Sequence, residues 1–315
     1  MTRLGLILAF AVVPLLLVEG VLRLGFAERF RLPADERALA YAYDEILGWF
    51  PEPSSERTIE GTRSFFVRHN ARGFRDAEHG AKEAPRLLVL GDSFVWGFDV
   101  EEDERFTARI GERLPGWEVL NLGVSGYGTD QELLLLRREL AHYAPEIVLL
   151  VFAEENDRED NTRNRRYGPY YKPYFVRGAS GHEVRGTPVP QPLPYLARAH
   201  PWLFSSLVVR AVCQAWLDAR HPVVQVPDES EQLVLAVRRE AEAQGARFAL
   251  GVQGRGTEMI SFARANGVPV VALANRHRYP HFGGHWTPEG HALVAERILA
   301  LLARTGWIPE LAEPS

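Results

Sequence analysis

The chain has 315 residues, 46% of them hydrophobic and 24% charged, and a formal net charge of −5. That balance suits a globular core with room for an appendage, and the acidic excess argues against a nucleic-acid surface. The single cysteine, Cys213, excludes an intrachain disulfide and a cysteine-based metal site.

The first element is apolar. Leu4 to Val18 carries no charge, and extension to Leu22 admits only Glu19. A bilayer span needs about 20 apolar residues, so residues 1–26 are expected to form an N-terminal transmembrane anchor or signal-anchor. A cleaved signal peptide is the second reading, although no small-x-small site follows the apolar core, and a buried core helix is the third. Arg3 precedes the stretch while Arg23, Arg29 and Arg31 follow it, so the count of basic residues does not favour an outside body.

Residues 27–84 are mixed in character and are expected to form an appendage packed on the main body. Alternation over Ser64–Arg68 predicts a short strand, and Asn70-Ala71-Arg72-Gly73 a turn.

From residue 85 to 315 apolar runs of strand length alternate with helix-period segments. Strands are predicted at Arg86–Leu90, Glu118–Leu122, Glu146–Phe152, Arg247–Val252 and Val268–Leu273. Helices are predicted at Glu104–Leu114, Thr129–Tyr143, Glu229–Gln244, Thr257–Asn266 and Pro288–Arg304. Thr129 or Asp130 is the expected cap of the second helix. The last has Thr287 as cap, Pro288 at its first position and Gly306 beyond its end. The unbroken Ile-Val-Leu-Leu-Val run of the third strand fits a parallel sheet covered on both faces. The expected fold class is therefore α/β: an open three-layer α/β/α arrangement on a five-stranded parallel sheet. Residues 158–226 interrupt this rhythm with "RRYGPYYKPYF", "TPVPQPLP" and a helix-like run at Leu203–Arg220, and are expected to be an insertion between the third and fourth strands.

In an open parallel sheet, ligands bind beyond the carboxyl ends of the strands. Gly91-Asp92-Ser93 follows the first strand, "NLGVSGYGTD" the second, "AEEND" the third, and "HFGGHWTPEGH" the fifth. Ser93 at the start of a helical turn is a candidate nucleophile whose own N–H faces a developing anion. A glycine N–H from the second loop and the side-chain amide of Asn156 are further donors. Three such donors converging on an acyl oxygen make an oxyanion hole. His285 is the candidate general base.

These segments together resemble the SGNH hydrolases, also called the GDSL esterase/lipase family, over about residues 84 to 305. "GDSFVWG" is similar to block I and places the nucleophile on Ser93. "NLGVSGYG" resembles block II and places the oxyanion glycine on Gly126. "EEND" resembles block III, with Asn156 as the oxyanion asparagine, and "GGHWTPEGH" resembles block V, with His285 as the catalytic histidine. The resemblance implies a flavodoxin-like SGNH fold and no cofactor. "NARGFRD" and the apolar N-terminus look similar to membrane-anchored bacterial members, which implies a catalytic body in the periplasm or outside the cell, with the bilayer as a partner.

Two departures stand out. Glu154 occupies the position of the opening glycine of block III. The family's acid lies two or three residues before the catalytic histidine, and those positions here are Gly283 and Phe282. An orienting carboxylate holds the imidazole tautomer and stabilises its cation, so a serine–histidine dyad is expected to be slower.

His281, His285 and His291 do not read as a metal cluster, because their spacing crosses a Gly-Gly loop and a helix cap. Asp92 and Asp157 read as loop-holding aspartates. Tyr167, Tyr170, Tyr171, Tyr174 and Phe175 are either a substrate-facing aromatic set or loop packing. Trp96, Tyr170 and Trp286 are candidate substrate-binding residues. The expected function is a serine esterase or acyl-transferring enzyme acting on ester groups, such as O-acetyl groups, of an extracytoplasmic small molecule or polysaccharide. The alternative is a catalytically weakened binding or scaffold protein at the membrane.

Overall fold

Side-chain alternation along the central strands decides the architecture. The computed structural model describes residues 3–178 and 181–311, with the side chains of residues 3–9 and 11 outside the description. One sheet holds β1 (Arg86–Gly91), β2 (Glu118–Asn121), β3 (Ile147–Ala153), β4 (Arg247–Gln253) and β5 (Val270–Ala272), in the order β5-β4-β3-β1-β2. All pairings in it are parallel: Leu88 lies opposite both Val148 and Leu120, and Leu250 opposite both Leu150 and Val270.

Among the described residues the helices are, in chain order, α1 (Arg3–Gly25), α2 (Glu36–Ala40), α3 (Ser93–Trp96), α4 (Phe106–Arg113), α5 (Thr129–Tyr143), α6 (Glu154–Asp160), α7 (Leu193–Ala199), α8 (Leu207–Arg220), α9 (Ser230–Ala243), α10 (Glu258–Ala265) and α11 (Pro288–Thr305). Successive strand residues point to opposite faces. Leu88, Leu90, Val148 and Leu150 therefore pack with Leu133 and Leu136 of α5 and Val237 of α9. Leu87, Val89, Ile147 and Leu149 pack with Ile110 of α4 and Val294 and Ile298 of α11. The result is the expected three-layer α/β/α unit.

Local chemistry sets the element ends. Thr287 caps α11 by accepting from the Gly290 N–H at 3.3 Å, and Gly306 closes that helix with φ 65°. The expected cap of α5 is corrected: Gly128 holds the cap position, and neither Thr129 nor Asp130 serves. Asp130 instead pairs with the fully buried ammonium of Lys172, a competing partner from the insertion that local sequence does not reveal. The fifth strand is shorter than expected, starting after Pro269, whose carbonyl still accepts from the Leu250 N–H at 2.9 Å.

The segment 27–84 holds two antiparallel hairpins, Tyr41–Asp44 with Gly48–Pro51 and Glu56–Glu60 with Ser64–Arg68. Tyr41, Trp49 and Phe65 belong to the same buried cluster as Leu88, so this segment shares the core of the sheet. The insertion builds a small core of its own from Tyr171, Val189, Leu193, Phe204 and Leu217.

The backbone of α1 is helical over Arg3–Gly25, and Glu19 accepts from Ser206 Oγ and from the N–H groups of Leu207 and Val208 at the start of α8. Among the described residues, no helix is long and apolar enough to cross a membrane. Of the anchor expected over residues 1–26, residues 1–2 and the side chains of residues 3–9 and 11 lie outside the description, and the transmembrane expectation has no support from the described residues.

Candidate active site

The sheet order reverses between β1 and β3, so the segments leaving these two strands diverge and open a crevice at their carboxyl ends. Asp92 follows β1 and caps α3, its Oδ1 accepting from the Phe94 N–H at 2.9 Å. Ser93 is the first residue of that single turn, which Gly97 closes in the left-handed conformation at φ 88°. His285 arrives from the loop before α11. Its Nε2 lies 2.7 Å from Ser93 Oγ.

The pair is nearly closed to solvent, with Ser93 6% and His285 7% exposed. Phe98 stacks on the imidazole with ring centroids 4.7 Å apart, and Phe94 packs against it at 5.1 Å. Burial pushes the His285 pKa down to about 3, the Arg278 guanidinium adds to this, and the Phe282 carbonyl offsets it in part. The imidazole is thus neutral near pH 7 and able to accept a proton from the hydroxyl. Its Nδ1 is buried without a hydrogen-bond partner. Among the described residues no carboxylate pairs with Nδ1 in place of the acid missing at Gly283 and Phe282.

The loop after β2 is pinned to the turn bearing Ser93. Asn121 donates through Nδ2 to the Val95 carbonyl at 2.8 Å and accepts from the Gly123 N–H at 2.9 Å. Gly123 needs to be glycine because a side chain there would run into the backbone of Val95 and Trp96. Gly126 takes φ 83°, and a methyl group on it would come within 2.7 Å of the Tyr167 ring and 3.1 Å of the Arg37 guanidinium. Asn156 lies on the first turns of α6, and its Nδ2 donates to Asp92 Oδ2 at 2.9 Å. One amide hydrogen is thereby committed, and the second remains for a ligand.

A layer of buried carboxyls lies behind this arrangement: Asp92, Asp130, Glu132, Asp157 and Asp160. Asp157 accepts from the Ala153 N–H at 2.9 Å, so Asp92 and Asp157 both hold backbone. Burial and mutual repulsion push Glu132 and Asp157 well up, and burial brings Asp160 to about 7. Neither carboxyl oxygen of Glu132 has a hydrogen-bond partner.

Arg75, from "NARGFRD", was not singled out as a site residue by sequence reasoning. It is buried, and its guanidinium donates to the carbonyls of Phe66 and Val100, both at 2.7 Å, and of Gly97. It ties the hairpin segment to the end of the nucleophile turn. Burial and the neighbouring Arg105 push its pKa down to about 9. The motif was visible; its target was not, because the carbonyls it meets come from two distant segments.

The three candidate substrate-binding residues are corrected. Trp96 is fully buried, donates to His69 Nε2 at 3.3 Å and packs edge-on against Tyr41 and Phe65. Trp286 is fully buried and donates to Gln253 Oε1 at 3.1 Å. Tyr170 is fully buried and donates to Asp35 Oδ1 at 3.2 Å. Their indole and phenol donors find partners inside the core, so they offer no surface to a substrate. Of the insertion's aromatic set, Tyr167 is the residue set against Gly126, and it is 42% exposed.

No family model matches the sequence, and no curated protein matches it. Solved structures do. TesA is 15% identical, over 70% of this chain and 98% of that chain, with a TM-score of 0.41. The psychrotrophic esterase EstA from Pseudoalteromonas sp. is 11% identical, over 70% and 97%, with a TM-score of 0.41. A two-domain esterase active on acetylated mannans is 14% identical, over 70% of this chain and 49% of that chain, with a TM-score of 0.40.

Proposed function

We propose that the protein is a serine-dependent ester hydrolase or acyl-transferring enzyme of the SGNH type. The observation that carries this is the 2.7 Å contact between Ser93 Oγ and a neutral, buried imidazole at the switch point of the sheet. Ser93 Oγ attacks the ester carbonyl while His285 Nε2 takes its proton. The N–H groups of Ser93 and Gly126 and the free amide hydrogen of Asn156 receive the oxyanion. His285 then protonates the departing alcohol, and water or a sugar hydroxyl attacks the acyl-serine to restore the enzyme.

The orphaned Nδ1 of His285 favours a second reading, a binding or scaffold protein with a weakened site. Loss of the orienting carboxylate from a full triad costs up to about 10⁴ in kcat. The two readings separate with the full-length chain in detergent against 4-nitrophenyl acetate and longer acyl esters. If the wild type is no faster than Ser93→Ala, and a fluorophosphonate fails to label Ser93, the esterase reading is lost.

We also propose that the body works outside the cytoplasm, tethered by its N-terminal helix, on ester groups such as the O-acetyl groups of a carbohydrate. The uncharged run from Leu4 to Val18 supports the tether. Retention of the full chain in membranes after alkaline carbonate extraction tests it; release into the supernatant would remove it.

A further inference from the structure

A cavity of about 400 Å³ opens beside the candidate site, lined by Arg163, Arg165, Arg166, Tyr167, Val223 and Gln225, with Gly168 at its edge. Its lining holds three arginines and no carboxylate. The carboxylates that balance them stand outside the lining: Glu159 meets Arg163 at 2.7 Å, Asp218 meets Arg165 at 2.5 Å, and Asp160 meets Arg166 at 2.9 Å. Arg165 also donates to the Tyr171 hydroxyl, and Arg166 also faces Glu159 at 4.0 Å. Each guanidinium carries five N–H donors, so these partners leave donors over. The Nε atoms of Arg165 and Arg166 are buried without partners.

The cavity and the oxyanion glycine share a wall. Tyr167 lines the cavity, and its ring is the nearest group to the open side of Gly126. That ring carries two guanidinium contacts, Arg166 at 4.4 Å from its centroid and Arg37 at 3.7 Å. Tyr167 sits at φ 49°, in the left-handed region that a bulky residue seldom takes, so the turn is held by this stack rather than by its own preference. Burial raises the pKa of Asp92, the residue before the nucleophile, and the charge of Arg166 offsets part of that rise.

We propose that this cavity binds an anionic group of the substrate, a carboxylate or a phosphate, and so selects esters that carry a negative charge close to the scissile bond. Guanidinium donors in a recess suit planar or tetrahedral oxyanions, which they can hold in two-pronged fashion. The Tyr167 ring stands between this lining and Gly126. This deepens the esterase reading and rests on it for the reaction, but not for the binding.

The test uses the full-length chain and three acetate esters with related leaving groups: methyl 4-acetoxybenzoate (neutral), 4-acetoxybenzoate (carboxylate) and 4-acetoxyphenyl phosphate (phosphate). The ratio of kcat/KM, anionic to neutral, is compared between wild type and Arg165→Gln/Arg166→Gln, so that intrinsic leaving-group differences cancel. We expect the ratio to fall at least about tenfold in the double variant for one or both anions, and to fall with added salt in the wild type. Arg163→Gln, at a more exposed position, gives the same direction with less risk to folding. Binding of 4-acetoxybenzoate and 4-acetoxyphenyl phosphate to Ser93→Ala by calorimetry reads the cavity without catalysis, and should weaken when Arg165 and Arg166 are replaced. Ratios equal in wild type and variants, together with anion binding that ignores the arginines, overturn the proposal. Anion binding that depends on the arginines in a chain that hydrolyses none of the esters would sink the esterase reading and leave the cavity's assignment standing.

Discussion

Among the described residues there are two buried serine–histidine pairs, and only one of these has the arrangement of a base. Ser55 Oγ lies 3.1 Å from His69 Nδ1, and Trp96 donates to His69 Nε2 at 3.3 Å. An indole nitrogen can only donate, so Nε2 must accept and the proton must sit on Nδ1. His69 therefore donates to Ser55, whose own hydroxyl donates to the Glu52 carbonyl at 2.6 Å. All of these hydrogen bonds are made, and nothing is left to deprotonate a serine. At Ser93 the opposite holds: the imidazole faces the hydroxyl through Nε2, its Nδ1 is orphaned, and the serine opens a helical turn at the switch point. Proximity of the two residue types does not distinguish these pairs. What distinguishes them is which ring nitrogen is already spoken for.

The sharpest way to break this contrast is to delete each serine. Ser93→Ala should lower kcat/KM on 4-nitrophenyl acetate by at least about 10³, whereas Ser55→Ala should leave it within about twofold. Equal losses in both would erase the distinction.

Supplying the missing acid should widen it. Phe282 already sits in the left-handed region at φ 50° and is 59% exposed, and aspartate tolerates that conformation well. Phe282→Asp should raise kcat about tenfold or more and raise the His285 pKa, seen as an acid limb that moves toward neutral pH. No gain and no shift would mean the carboxylate cannot reach Nδ1.

Arg75 couples the two regions, because it grips the carbonyls at the end of the turn that carries Ser93 and Trp96. Arg75→Lys keeps the charge but cannot fork to three carbonyls, and should reduce kcat by about 10- to 100-fold with little change in KM. A loss confined to KM would assign it to substrate binding instead.

The pH response follows from burial. His285 and His69 are both pushed down to about 3, while in the unfolded chain they titrate near 6.5. Between those values the unfolded chain takes up protons that the folded chain refuses, so their contribution is complete above about pH 6.5 and is lost as pH falls toward 3. Asp160 works in the other direction: raised to about 7, it keeps a proton that the unfolded chain has released, so its contribution is lost as pH rises from about 4 to 7. His69→Gln should flatten the fall in urea midpoint between about pH 6 and pH 4; an unchanged slope would mean His69 is not held neutral. Activity on a neutral ester should show no limb near pH 6.5, since His285 is already deprotonated there.

The smallest effect concerns the carboxyl layer behind the crevice. Glu132→Gln removes a buried acid whose oxygens have no partners, and should raise stability at about pH 8 by roughly 1–3 kcal/mol in urea melts. A loss of stability instead would show that Glu132 uses its proton in a bond that glutamine cannot copy.

Much of this was legible along the chain. Strand-length apolar runs, the cap at Thr287, the stop at Gly306 and the alternation over Ser64–Arg68 are local signals, and local signals survive without knowledge of the fold. Ser93, Asn156 and His285 could be named because they stand near strand ends or before a helix cap, which are local features, while Gly126 was singled out among the glycines of its loop only by the resemblance to block II. The wrong expectations have one cause. Trp96, Tyr170 and Trp286 were linked to a substrate by closeness in sequence to the nucleophile, the insertion and the base, but the facing of a side chain depends on what packs against it from elsewhere. Asp130 lost its cap role to Lys172, 42 residues away.

The sequence by itself determined the order of elements, the two-faced burial of the sheet and the residues that stand at its carboxyl end, because each follows from periodicity and turn chemistry within a short window. Only the tertiary structure decided which histidine nitrogen faces which serine, that no carboxylate pairs with His285 Nδ1, that Arg75 grips the nucleophile turn, and that Tyr167 with its neighbouring arginines stands against Gly126. Those facts depend on hydrogen bonds and stacking between segments tens to hundreds of residues apart, and no local pattern encodes where such segments meet.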